Sequence, residues 1–172
     1  MVNPERESMF IEGPRTGIYL NPGTMSRTPI SVLEKVEQYA REYEQNPTLS
    51  LFEGWERMWE VQKKVASFFA ANPEDWFFRP NVTVAMNDFL LGIELPPGDI
   101  AVTNLEYGAI VNICRHRAEK EGRRLLTVNI PVPFLGGPEE LVDIIMNQLP
   151  ASVVLLMVSH VTTGTGLRIP VS

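Results

Sequence analysis

Three short segments carry residue types at spacings that suit chemistry. The first is Arg79-Pro80-Asn81-Val82-Thr83-Val84-Ala85-Met86-Asn87, where a strand is predicted to give way to a helix near Asn81. The backbone N–H groups of Val82 and Thr83 would then face outward at the positive end of a helix dipole. The Thr83 hydroxyl adds a donor, and such a start suits a phosphate monoester. The same residues also read as an ordinary capped helix, with Asn81 as N-cap and Thr83 in the first turn, and spacing alone favours that. The second segment is Thr103-Asn104-Leu105-Glu106-Tyr107-Gly108-Ala109. Tyr107 falls where a strand passes into a helix, and its ring could stack on a planar ligand. The plainer reading has Thr103 or Asn104 as a cap and Tyr107 packed locally. The third is Ser159-His160-Val161-Thr162-Thr163-Gly164-Thr165-Gly166, a run of hydroxyls, a histidine and glycines behind an apolar strand. It suits a site that orients a ligand, and equally a glycine-rich turn with local side-chain to backbone bonds.

Other chemistries find little support. Gly-x-Gly-x-x-Gly and Gly-Lys-Ser/Thr are absent, which argues against a nucleotide loop. With two histidines and one cysteine, a zinc cluster within the chain is not expected. No Gly-x-Ser-x-Gly accompanies the Ser-His pair, so a hydrolase triad is unsupported.

The segments need a frame to hold them. Residues 1–17 are polar and read as a loose arm. Asn21-Pro22-Gly23 is a turn signal. A helix is predicted over 29–45, with Val32, Val36, Tyr39 and Tyr43 at helical spacing. A second covers 50–71, with Ser50 and Glu53 as a capping box. Leu51, Trp55, Met58, Trp59, Val65 and Phe69 trace one face of it, which reads as core or subunit interface. Trp76–Arg79 reads as a strand, 83–92 as a helix, 99–103 as a strand and 107–121 as a helix closed by Gly122. Then follow a strand at 125–130, a helix at 138–149 opened by Pro138-Glu139-Glu140, and an apolar strand at 153–158. Continuous apolar strands suit a sheet covered on both faces. Alternation of strand and helix makes the fold class α/β with a mostly parallel sheet. Ligands in such sheets bind beyond the carboxyl ends of the strands, where the three segments fall.

Composition narrows the partners. The chain has 172 residues and is 44% hydrophobic, enough for a sizeable core. A net charge of −6 argues against nucleic acid. Arg115, Arg117, Lys120, Arg123 and Arg124 cluster, but Glu119 and Glu121 sit among them, so they read as a solvated helix end. One cysteine allows no internal disulfide, and a cytoplasmic setting is expected. No apolar run or leader suggests a membrane span or signal peptide.

Taken in order, the motifs resemble one family. Tyr19-Leu20-Asn21-Pro22-Gly23-Thr24, Thr83-Val84-Ala85-Met86-Asn87, Gly98-Asp99, Glu106-Tyr107-Gly108-Ala109 and Ser159–Gly166 followed by Pro170 are similar to class V aminotransferases. These are fold-type I enzymes that use pyridoxal 5'-phosphate, and the resemblance is nearest to an isopenicillin N epimerase-like group. It covers about residues 18–172 and implies the N-terminal part of a three-layer transferase-like large domain. Cofactor roles follow by position. Val82 and Thr83 would bind the phosphate, and Tyr107 would stack on the pyridine ring. Thr163 would lie near its phenolic oxygen, with His160 beside it, and Asn87 would support the cofactor loop. Asn21 and Gly23 would contact substrate. The implied activity is transamination, epimerisation or carbon–sulfur lyase chemistry on an amino acid. A homodimer or a complementary C-terminal fragment is the expected partner.

The resemblance also implies a gap. In the family an Asp-Gly-Ala-His strand and a later Ser/His-x-Lys follow, supplying the aspartate at the ring nitrogen and the lysine that carries the cofactor covalently. Neither motif precedes Ser172, and Lys35, Lys63, Lys64 and Lys120 fall on predicted helix surfaces. No covalent catalytic residue is therefore expected within the chain. A non-catalytic phosphate-binding or interaction domain is the alternative.

Overall fold

The computed structural model describes residues 9–11 and 19–171 and divides into two compact units, Met1–Phe77 and Phe78–Ser172. Apart from Met9–Ile11, the arm expected over 1–17 lies outside the described residues, as does Ile18.

In the first unit, the turn at Asn21 closes as its Asn-Pro-Gly signal requires. The Tyr19 hydroxyl donates to the Asn21 carbonyl at 2.7 Å, and the Thr24 hydroxyl to the Asn21 side chain at 2.9 Å. Helix α1 spans Ile30–Gln45, directly after Pro29. Asn46 ends it and starts α2, Pro47–Phe68. Its N–H donates to the Glu42 carbonyl, while its side chain accepts from Leu49 N–H at 3.1 Å. This corrects the expected start at Ser50. Asn46 followed by Pro47 is the stronger signal, because asparagine caps and proline suits the first helical position. The Ser50 hydroxyl instead donates to the Glu42 carbonyl and ties the two helices. Helix α2 also stops short of residue 71, for Ala70 takes a positive φ of 53°. Trp76 stacks on Phe69 with ring centroids 5.2 Å apart. The strand expected at Trp76–Arg79 is not formed. Those residues pair with no other strand among the described residues, because β-propensity needs a neighbour to become a ladder.

The second unit runs α3 (Val82–Gly92), β1 (Asp99–Thr103), α4 (Gly108–Glu121), β2 (Leu125–Val128), α5 (Pro138–Met146) and β3 (Val153–Met157). The strands form a parallel sheet in the order β2-β1-β3. Register assigns its faces. Ile100 lies level with Leu125 and Leu155, and Ala101 with Leu126 and Leu156. The Ile100 row packs with Leu90, Ile110, Ile113 and Cys114 of α3 and α4. The Ala101 row packs with Leu141 and Ile145 of α5 and with Ile169. The sheet is thus covered on both sides, which is why β1 is buried at all five positions and apolar at its three central ones.

Gly122 closes α4 at φ +66°, the left-handed conformation glycine adopts without strain. Strand β2 stops at Val128 rather than Ile130. Beyond it the Asn104 side chain takes over the pairing, accepting from Ile130 N–H at 2.8 Å and donating to its carbonyl at 3.0 Å. Helix α5 ends at Met146, and the Gln148 amide binds both backbone groups of Asn129.

The basic cluster is only in part a solvated helix end, which narrows the reading from composition: Arg115, Lys120 and Arg124 are exposed, whereas Arg117 and Arg123 turn inward. Arg117 is 5% exposed. Its guanidinium donates to the carbonyls of Leu90 and Ile93 and to Glu121. Arg123 reaches the carbonyls of Leu95, Pro96 and Gly98, and Arg124 pairs with Asp99. Neighbouring glutamates made the run look like a surface, but the fixed fork of arginine also satisfies clustered carbonyls.

The Arg124 guanidinium, and then the Ser152 hydroxyl, hold the Asp99 carboxyl at about 2, below its usual 3.8. A depressed carboxyl contributes stability above its unfolded value, and that contribution is lost as pH falls through about 4 toward 2. Wild type should therefore lose thermal stability more steeply across that window than Asp99→Asn. Parallel melting-temperature profiles from pH 5 to pH 2 would refute the linkage.

Candidate functional site

The candidate site assembles at the carboxyl end of the sheet. Arg117, late in α4, binds carbonyls at the end of α3, so the two helices run parallel and their N-termini share one end. Helix α4 follows β1 and returns along it, so that end is where the strands finish. Val82 and Thr83, heading α3, and Tyr107, preceding α4, are therefore carried to the same end of the unit.

The start of α3 is capped, yet it keeps free donors. Asn81 accepts from Val84 N–H at 2.9 Å, and the first intrahelical bond runs from Ala85 to Asn81. The N–H groups of Val82 and Thr83 have no acceptor among the described residues, and neither has the Thr83 hydroxyl. Capping and anion binding are thus compatible here, because the cap takes the third N–H and leaves the first two. Asn87 donates to the Thr83 carbonyl at 2.7 Å, one turn below.

Around Tyr107 the capping alternative fails. Asn104 is spent on Ile130, and the Thr103 hydroxyl, 1% exposed, accepts from Leu105 N–H and donates to Glu106. Tyr107 itself stands at the N-cap position without a side-chain cap bond, and its residue is 42% exposed. In the third segment the local-turn reading holds for two threonines. The Thr162 hydroxyl accepts from Leu167 N–H at 3.0 Å and meets Thr165 at 2.6 Å. A bridge between Val161 and Arg168 closes the loop into a hairpin. His160 and Thr163 are exposed, with no side-chain hydrogen bond among the described residues.

Glu106, directly before Tyr107, is a functional residue that the motif pattern does not reveal. Its carboxylate accepts from Ser159 N–H at 2.7 Å and from Ser159 Oγ at 2.6 Å. These bonds join the β1 and β3 loops, 53 residues apart in sequence, so sequence alone held no signal for the pairing. Cys114, buried beneath, is no nucleophile. Burial first, and then the Glu106 charge, push its thiol up to about 11. Lys120 sits in the last turn of α4, at the opposite end from these loops, and Lys35, Lys63 and Lys64 lie on α1 and α2. Asn21 and Gly23 belong to the turn of the first unit.

A helix start with two N–H groups unpartnered among the described residues, an aromatic residue heading the adjacent helix and a hydroxyl-bearing hairpin thus lie toward the carboxyl end of the sheet. The family model of class-V aminotransferases matches residues 18–172. The chain belongs to this family. Among curated relatives, an isopenicillin N epimerase of Amycolatopsis lactamdurans is 30% identical over 118 residues, which is 66% of this chain and 29% of that protein. A probable cysteine desulfurase of Methanothermobacter thermautotrophicus is 26% identical over 98 residues, covering 54% of this chain and 24% of that one. A solved structure of a C-DES lysine-to-alanine mutant, with glycine covalently linked to its PLP cofactor, superposes with a TM-score of 0.85. It is 21% identical and covers 98% of this chain and 44% of that one. A complex of the cystine C–S lyase C-DES with cysteine persulfide matches at a TM-score of 0.80 and 21% identity, covering 88% of this chain and 40% of that one. These confirm the partial fold-type I architecture. The class-V family chain spans under half the length of each of these relatives. Among the described residues no helix is long and apolar enough to cross a membrane.

Proposed function

We propose that this chain supplies the phosphate- and ring-holding part of a pyridoxal-phosphate enzyme acting on an amino acid. The carrying observation is that Val82 and Thr83 offer N–H groups unpartnered among the described residues, at the same end of the unit as Tyr107 and the Ser159–Gly166 hairpin. When bound, the cofactor supplies an electron sink for bond breaking beside the amino group. The chain's part is to bind and orient. The α3 dipole, the two N–H groups and the Thr83 hydroxyl hold the phosphate dianion. Asn87 steadies that first turn through the Thr83 carbonyl. The Tyr107 ring covers one face of the pyridine, and His160 and Thr163 offer polar groups to its rim. Asn21 and Gly23 contact substrate. Transamination, epimerisation and carbon–sulfur cleavage all fit these roles, and the epimerase and desulfurase relatives favour the last two. The working assembly is a homodimer in the cytoplasm, with the aromatic row of α2, headed by Trp55 at 71% exposure, at its interface.

Titration with pyridoxal phosphate, followed by visible absorbance and calorimetry, tests the reading. Thr83→Ala should weaken binding by about 1.5–3 kcal/mol, or roughly ten- to 150-fold, as one hydrogen bond to a charged group is lost. No binding by wild type, or equal affinity in the variant, would overturn it. Binding of inorganic phosphate alone would point to a non-catalytic phosphate-binding domain.

A further inference from the structure

The backbone ladder between β1 and β3 ends at Val102 and Met157. Beyond it the two loops diverge. The hairpin after β3 is self-contained, with Thr162 N–H bonded to Leu167, Gly166 N–H to Thr162 and Ile169 N–H to His160. Between the loop that carries Tyr107 and the one that leads into this hairpin, the hydrogen bonds among the described residues are those of Glu106 with Ser159. They use both carboxylate oxygens, Oε1 for the N–H and Oε2 for the hydroxyl. Oε1 also accepts from Thr103 at 3.1 Å, and Thr103 is buried in β1. The carboxylate is therefore fixed to the sheet on one side and to the second loop on the other.

We infer that Glu106 is a positioning residue: a carboxylate strut that sets the gap between the Tyr107 ring and the His160–Gly166 hairpin, and so selects a planar, phosphorylated ring over phosphate alone. The inference rests on the cofactor reading above and deepens it. Tyr107 is the next residue in the chain, so any change in how the Glu106 turn is held moves the ring directly. The hairpin hangs from Ser159, which the same carboxylate grips. A group facing three donors must be an acceptor at both ends, which a carboxylate is. The phosphate donors at Val82 and Thr83 sit on a different helix and do not depend on this strut.

The test compares two ligands, pyridoxal phosphate and inorganic phosphate, by calorimetry on the full chain. Glu106→Ala should weaken pyridoxal phosphate roughly tenfold while leaving inorganic phosphate unchanged. Glu106→Gln, which keeps one oxygen for the Ser159 N–H, should recover most of that loss. Circular dichroism of the bound cofactor should fall and recover in the same order, because it reports how the ring is held. If Glu106→Ala does not fold, Ser159→Ala decides, with roughly threefold weaker pyridoxal phosphate and unchanged phosphate expected. Loss of both ligands in parallel by a folded variant, or no change in selectivity, overturns the strut. A wild-type chain that binds phosphate but not pyridoxal phosphate overturns the cofactor reading itself, and the strut with it.

Discussion

Arg117→Ala should destabilise the second unit by about 3–5 kcal/mol, the range for stranding partners of a buried charged group. The guanidinium is 5% exposed and holds three acceptors at once, the carbonyls of Leu90 and Ile93 and the Glu121 carboxylate. Those carbonyls belong to the last turn of α3 and to its C-cap Ile93, where helices run out of internal donors. Removing Arg117 takes this donor from a buried carbonyl at Leu90 and a half-buried one at Ile93, and a fully buried loss of that kind costs about 1–3 kcal/mol. It also frees the parallel alignment of α3 on α4. Since that alignment brings Thr83 and Tyr107 to one end, weaker pyridoxal phosphate binding should accompany the lower stability. Arg117→Lys should lie between, for an ammonium cannot span three acceptors held by a planar fork. Chemical denaturation monitored by circular dichroism gives the free energies. A loss under about 1 kcal/mol for Arg117→Ala would mean that water satisfies those carbonyls as well as arginine does.

Gly98→Ala should be damaging in a different way, with about 3–5 kcal/mol of stability lost from backbone strain and overpacking together. Gly98 has φ +152°, and a Cβ there would sit 2.5 Å from the Ser152 carbonyl oxygen and collide with the Val154 side chain. Neither neighbour can yield easily. The Ser152 carbonyl accepts from Asp99 N–H at 2.8 Å, at the point where β1 and β3 shift register. Gly98 lies at the amino end of the sheet, away from the proposed site. The variant should unfold at lower denaturant but bind pyridoxal phosphate with unchanged affinity where it stays folded. A stability within about 1 kcal/mol of wild type would show that the β1–β3 start can open to admit a methyl group.

These two positions illustrate how unevenly the structure was legible. Gly98, after Pro96 and Pro97, stands directly before β1, where the strand expected over 99–103 puts it. Arg117 was grouped with its charged neighbours and read as solvent-facing, because a one-dimensional charge pattern does not reveal that its side chain folds back onto α3. The helices fared similarly. Periodicity located α1 and α4 within a residue at either end. The start of α2 was misplaced by three residues because Ser50 and Glu53 also fit a capping box, and only geometry shows that Asn46 does the capping. Trp76–Arg79 had strand composition but joined no sheet among the described residues.

By itself the sequence determined the α/β class, the order of the second unit's helices and strands, and the three loops where chemistry could reside. Local signals suffice for these, since apolar period, caps and glycines act within a few residues. Its ordered motifs also implied the class V aminotransferase family and its cofactor. Only the tertiary structure decided that the sheet runs β2-β1-β3, that α3 and α4 lie parallel, and that Glu106 holds Ser159. Each depends on contacts between residues some 24 to 55 positions apart, whose pairing is set by packing and register rather than by any pattern along the chain.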